Sequence, residues 1–186
     1  MAVGFSLEHA QVAPVGASPV HKDIPAVVSW APSITASRTP LRADASIYAN
    51  AYGAREGSGD IVFAFLSFDV LVIINGGTKS TSGTGAGAID RYEQPGASVQ
   101  PAFIVSGFYR NVATDKNPHQ AVRVTTPVNT AAPASASFAQ ETFFNWTANT
   151  SFTQNDAGTM IIYETMASLP VLTAGVMPVN LAAPGA

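Results

Sequence analysis

One stretch constrains the fold more than any other. Asp60 to Asn75 reads DIVFAFLSFDVLVIIN and is the longest apolar run in the chain. Val62, Ala64, Leu66, Phe68, Val70, Val72 and Ile74 form an unbroken apolar set at every second position. The intervening set is apolar except at Ser67 and Asp69. Period two with β-branched and aromatic residues predicts a strand, although about 14 residues is long for one. Asn75, Gly76 and Gly77 end it with turn chemistry. The expectation is a long central strand buried on both faces and bent near Ser67 to Asp69. It would need a layer on each side, or a sheet folded over onto a second sheet. A carboxylate at Asp69 would then be buried and require a partner, with Arg42, Arg110 and Arg123 as candidates.

The flanks are read in the same way. Residues 1–40 carry Pro14, Pro19, Pro25, Pro32 and Pro40 among apolar residues such as Val12, Ile24 and Trp30. That proline density disfavours a helix and a central strand, so an extended arm is expected, lying on its own domain or on a neighbouring subunit. Residues 41–52 alternate strictly, as a half-buried antiparallel strand does. GAREGSG (53–59) reads as a turn into the apolar run, and residues 75–98, with six glycines, as a long loop. Further strands are expected at 101–112, 120–126 and 159–167. Gly107 marks a bulge or a close approach, and Asn155 to Gly158 a turn. Pro127 to Ala136 reads as a loop. Residues 137–147 fit a strand somewhat better than a short helix, and residues 168–186 form a second extended arm. Strands separated by Gly/Pro-rich loops predict an all-β fold, an antiparallel β-sandwich over 41–167.

Only 11% of the 186 residues are charged, against a usual share of about 25%. The lysines are Lys22, Lys79 and Lys116 alone. A free monomer normally keeps a charged surface, so a surface this poor in charge suggests cover by other copies or another partner. A net charge of −3 argues against a dedicated nucleic-acid binder. With no cysteine, disulfides and thiolate metal sites are excluded. The N-terminal MAVGFSLEHAQ is not read as a secretory signal. No stretch reaches the roughly 20 apolar residues of a membrane helix.

Chemical motifs are sparse. GTGAGA (83–88) has the G-x-G-x-x-A form of a dinucleotide fingerprint, but that motif requires a following helix N-terminus. IDRYEQP (89–95) is too short and too close to proline to supply one. GGTKS (76–80) lacks the glycine before lysine that a Walker loop needs. His9, His21 and His119 have no i, i+4 partner of a helical metal site; Glu8 and Asp23 could pair locally with His9 and His21. No nucleophile elbow accompanies them. Asn145-Trp146-Thr147 and Asn149-Thr150-Ser151 match the glycosylation pattern, without a signal peptide beside them. No catalytic, cofactor-binding or metal residue is therefore assigned, no cofactor is expected, and the chain is not read as an enzyme.

A proline-rich N-terminal segment, a strand at 41–52, a turn leading into FLSFDVLVIIN, strands joined by Gly/Ser/Thr/Pro loops, a late TMIIYETMA strand and a short apolar tail follow one another. In this order the chain resembles the jelly-roll coat proteins of small icosahedral viruses, tymovirus-like ones in style. The resemblance implies a jelly-roll sandwich that self-assembles into a virion shell, its arms 1–40 and 168–186 tying neighbours together. Its partners would be other copies of itself or other virion subunits, with no membrane. The Arg/Lys-rich arm of many such proteins is missing, so any nucleic-acid contact would be weak and made without a basic arm. Two other readings stand beside it. One is a decoration protein or adhesin on a pre-existing, including extracellular, surface. The other is a carbohydrate-binding sandwich using Tyr48, Tyr52, Tyr92, Tyr109 and Trp146.

Overall fold

The computed structural model describes residues 5–16, 19–24, 26–43, 46–64, 67–94, 96, 100–111, 121–132, 135–136 and 146–166, without the side chains of 5, 41–43, 46–52, 111 and 135–136. The chain is all-β with one short α-helix among these residues. In order the elements are β1 (Phe5–Pro14), β2 (Lys22–Asp23), β3 (Val27–Trp30), β4 (Ser33–Ala43), β5 (Ser46–Phe63), α1 (Phe68–Asn75), β6 (Thr78–Ser82), β7 (Ile89–Glu93), β8 (Phe103–Asn111), β9 (Ala121–Ala131), β10 (Ser135–Ala136), β11 (Trp146–Thr153) and β12 (Ile162–Met166).

All strand pairs are antiparallel. Ten strands form one sheet with the path β2-β1-β8-β9-β11-β5-β3, while β6 and β7 form a second. The two ends of that path, β2 and β3, are separated in the chain by only residues 24–26. The sheet must therefore curl until its edges nearly meet. Ile24 N donates to Ala10 O and Ala64 N to Ala26 O, so this short link is bonded first to one edge and then to the other. Ala26 turns the corner at φ 49°, a strained value for a residue with a Cβ. The result is an all-β sandwich with its core inside the curl.

Alternation explains which side is inside. Along β11, Ala148, Thr150 and Phe152 are buried while Asn149, Ser151 and Thr153 are exposed. They face Ile61, Gly59 and Gly57 of β5 in register. The core joins Val12, Trp30, Ile61, Phe63, Phe103, Val105 and Val124 to Val70, Leu71 and Ile74 of α1. Each such side chain, fully buried, contributes about 1.5–3 kcal/mol relative to exposure. Tyr109 donates its hydroxyl to Trp30 O, linking β8 to β3 across this core.

Several sequence expectations are corrected. The run 60–75 is not one strand: β5 ends at Phe63, and Phe68–Asn75 is a helix. A strand could bury both sides of this run, but a helix satisfies its own backbone bonds where no neighbouring strand is available. Asp69 lies in its first turn, favourable for the helix dipole. Gly76, at φ 74°, donates its N–H to Val72 O, and Gly77 follows at φ 94°. Asp69 is consequently half exposed rather than buried and pairs with Lys79. Among the arginines proposed for it, Arg110 pairs with Glu8 and Arg123 with Glu164.

The stretch 53–59 is strand interior, not a turn. Its glycines serve close approach: a Cβ on Gly57 would enter the Phe152 ring, and one on Gly59 would meet Pro32 Cα at 3.0 Å. The expected loop at 75–98 contains the β6–β7 hairpin. Pro127 lies within β9, where the register slips by one residue between Phe103–Asn129 and Val105–Thr126. A bulge is a place where a sheet tolerates proline. The segment read as an N-terminal arm supplies four strands. β1 is paired on both sides, with β2 and with β8. Its proline, Pro14, is its last residue, and Pro32 falls between β3 and β4, so neither interrupts a ladder. The expected strands near 101–112 and 159–167 and the turn at Asn155 to Gly158 are present. Residues 137–145 and 168–186 lie outside the described residues.

Candidate assembly surface

β4 and β5 pair from Ser33–Ser58 to Ala43–Ser46. The partner of β5 on its other side, β11, begins only at Gly57. Eleven residues of β5, Ser46 to Glu56, therefore run beyond the body of the sheet with β4 as their only strand partner among the described residues. At about 3.3 Å per residue this two-stranded ribbon projects roughly 35 Å. Residues 33–40 and 53–56 are exposed apart from β5's junction with the body. At the root, Thr35 Oγ1 donates to Glu56 O at 3.4 Å and Ser33 Oγ to Ser58 O at 3.4 Å. An open concavity of about 400 Å³ lies there, lined among others by Thr35, Arg55, Glu56, Ser151 and Thr153.

The ribbon's edge is blunted. Register shifts between Ala36 and Arg38 and between Leu41 and Arg42 break the ladder. In the first shift Ser37 of β4 stands opposite two residues of β5, Gly53 and Ala54, and its hydroxyl occupies the place a Cβ on Gly53 would take. Pro40 offers no N–H. Bulges, proline and charge are the devices that hinder edge-to-edge addition.

The β6–β7 hairpin is the second projection, exposed over residues 78–91. Lys79 Nζ stands 3.3 Å from Asp69 Oδ2 and 3.4 Å from Asp90 Oδ2 and so ties the hairpin to α1. Those two carboxylates raise the Lys79 ammonium above its ordinary value, the hydrogen bond to Asp69 foremost. A hydrogen bond from Thr81 Oγ1 at 2.6 Å, with the Lys79 charge, holds Asp90 below its own. Tyr92 donates to Gly76 O at 2.7 Å and stacks on Phe68 with centroids 6.0 Å apart.

A buried polar group spans β1, β8 and β9. Gln11, Ser106 and Thr125 are cross-strand neighbours and buried. Gln11 Nε2 donates to Asp23 Oδ1 at 2.6 Å, and the Ser106 and Thr125 hydroxyls are 3.0 Å apart. Arg123, 1% exposed, pairs with Glu164. His21 is buried, and its pKa is lowered by desolvation first and by the Arg123 charge second. This group knits β2, β1, β8, β9 and β12 together. It presents no nucleophile–base pair, and among the described residues no cluster of His, Asp and Glu could hold a metal ion.

The remaining sequence candidates scatter. His9 is on β1, and His119 and Asn145 lie outside the described residues. Gly85–Gly87 of the GTGAGA stretch is a single 3-10 turn, followed by strand β7, so no helix N-terminus faces it. Asn149 is exposed on β11. Of the five aromatics proposed for a sugar site, Tyr92, Tyr109 and Trp146 pack against the core, and the Tyr48 and Tyr52 side chains are outside the description. The ribbon was not foreseen. Its signal was a strict alternation over residues 41–52, too weak to mark a reversal.

No family model and no curated protein matches this chain.

Proposed function

We propose that this chain is a non-enzymatic structural subunit that self-assembles into a shell, as a coat or surface subunit of a virion. The observation that supports this reading best is the β4–β5 ribbon. An isolated two-stranded hairpin is marginal in water, and here eleven residues of β5 run beyond its pairing with β11, with the described outer residues of the ribbon exposed. Among the described residues no strand other than β4 pairs with this stretch of β5, which leaves the ribbon open to cover by another copy. The low charge of the sequence points the same way, since 11% charged residues would leave much of a monomer's surface neutral. The curled sandwich supplies a rigid wedge; the reading requires rigidity of it, not a jelly-roll order of strands. Repetition of one patch pair by rotation then closes a ring or shell.

Negative-stain electron microscopy of the purified chain, over a range of pH, salt and divalent ions, tests this. Closed particles of uniform size are expected. A monomer or trimer under every condition would refute the shell and turn attention to a decoration role on another surface.

A further inference from the structure

We propose that His21 is a proton-operated latch on the seam of the curled sheet: when its imidazole takes up a proton, Lys22 to Ile24 leave β1 while the other strands stay paired. The proposal does not depend on the self-assembly reading.

The latch sits where the sheet is held least. β2 is two residues long and meets β1 in two pairs, Gln11–Asp23 and Val12–Lys22. It ends the strand order, so among the described residues no strand covers its other edge. Beyond those pairs, Gln11 Nε2 donates to Asp23 Oδ1 at 2.6 Å and Ile24 N to Ala10 O at 2.8 Å. Gln11 Oε1 is buried and has no hydrogen-bond partner among the described residues; opening gives it water. Short elements with few bonds are the ones that open while a core stays closed.

His21 directly precedes β2 and is buried, although Val20 beside it is 59% exposed. The titratable side chains described on the neighbouring strands are Lys22 and Asp23 on β2, Glu8 and His9 on β1, Tyr109 and Arg110 on β8, Arg123 on β9, and Tyr163 and Glu164 on β12. Asp23 accepts from Gln11, Arg110 pairs with Glu8, and Glu164 pairs with Arg123. Burial first, and the Arg123 charge second, hold the His21 imidazole below its ordinary value of 6.5.

A protonated His21 is therefore a second cation in a buried place. Arg123 is not the group that yields. It lies on β9 between β8 and β12, opposite Phe108 and Glu164, and is 1% exposed. His21 yields, because only the short β2 and the buried Ile24 hold its segment. Ile24 opposes opening and keeps the latch shut at neutral pH. The open segment takes up the proton more readily than the closed one, so opening is favoured as pH falls below 6.5.

Hydrogen–deuterium exchange of the full chain at pH 7.5 and 5.5, corrected for the intrinsic exchange rate at each pH, tests this. The expected result is a several-fold loss of protection at Lys22 to Ile24 at the lower pH, bounded at about tenfold by the ordinary value of 6.5. Protection in β5, β9 and β11 should not change. His21→Gln should remove the loss, and His21→Phe, which keeps the bulk, serves if the glutamine variant does not fold. His9→Gln, at an exposed histidine, and Asp23→Asn, which keeps an oxygen for Gln11, should retain it. Equal protection of Lys22 to Ile24 at both pH values in the unaltered chain overturns the proposal. A loss spread evenly over all strands overturns it as well, since the opening is then global. So does a loss that survives in the His21 variants; its disappearance in Asp23→Asn would then assign it to that carboxylate.

Discussion

The ring of Trp30 fills the space over Gly107: a Cβ at position 107 would stand 2.6 Å from Trp30 Cε3 and 2.7 Å from Cζ3. This contact closes the curled sheet, because Trp30 is on β3 at one end of the strand order and Gly107 is on β8, near the other. Gly107→Ala forces the indole or the strand to move. The expected cost is about 1–3 kcal/mol, the range for overpacking a filled core, read from the urea midpoint. Because Tyr109 donates to Trp30 O, the variant's tryptophan emission should shift as well. An unchanged midpoint would mean that the two sheet ends do not touch here.

Asn129 is the clasp of the β9 bulge. Its Nδ2 donates to Phe103 O at 2.9 Å and Thr126 O at 2.8 Å, and its Oδ1 accepts from Thr126 Oγ1 at 2.9 Å. The side chain is fully buried. Asn129→Ala leaves these partners unsatisfied in the interior, at a cost of about 1–3 kcal/mol. Chemical denaturation measures it, and amide exchange in β8 and β9 should accelerate together. A loss confined within error would show that water replaces the clasp.

His21 gives the fold an acid-sensitive element. Burial and the Arg123 charge lower its pKa from 6.5. The unfolded chain therefore takes up a proton first as pH falls. Stability from this group is complete above pH 6.5 and is lost as pH falls from there through the lowered folded value. His21→Gln should show a smaller drop in urea midpoint between pH 7.5 and 5 than the unaltered chain. Equal drops would place the sensitivity in the carboxylates instead.

Tyr109 acts at the other end of the scale. Burial, with Tyr163 beside it, pushes its phenol up to about 12. The folded state keeps the neutral form, so its contribution is present below pH 10 and is lost as pH rises through the folded value. Tyr109→Phe should flatten that alkaline loss, seen in thermal melts between pH 9 and 11. A parallel decline in both proteins would contradict it.

The all-β class was legible because Gly/Pro punctuation and period two agree over most of the chain. β8 and β12 lie within the strands expected at 101–112 and 159–167, and the close approach at Gly107 was legible from a glycine inside a strand pattern. Other elements hid for physical reasons. Phe68 to Ile74 is apolar at every position but Asp69, so it carries no period by which a buried helix differs from a buried strand. Ser67, Asp69 and Gly76 were the better clues to its ends. The ribbon hid in its own symmetry. Ala43 pairs with Ser46, an odd position with an even one, and the slip at Leu41–Arg42 then sets Leu41 opposite Ala49. The slip restores the parity, so alternation reads straight through the reversal. No sequence pattern shows which strands pair with which, so the lack of a second strand partner for Ser46 to Glu56 among the described residues emerged only from the fold.

The central claim is that the ribbon drives association. Sedimentation velocity tests it most directly, comparing the full chain with a variant in which residues 36–55 are replaced by an Asn-Gly turn. That change keeps the Thr35–Glu56 pair and every core residue among those described. The account predicts fast-sedimenting closed particles for the full chain and a folded monomer for the shortened one, with the tryptophan spectrum retained. Particles of the same size and yield from both would contradict it.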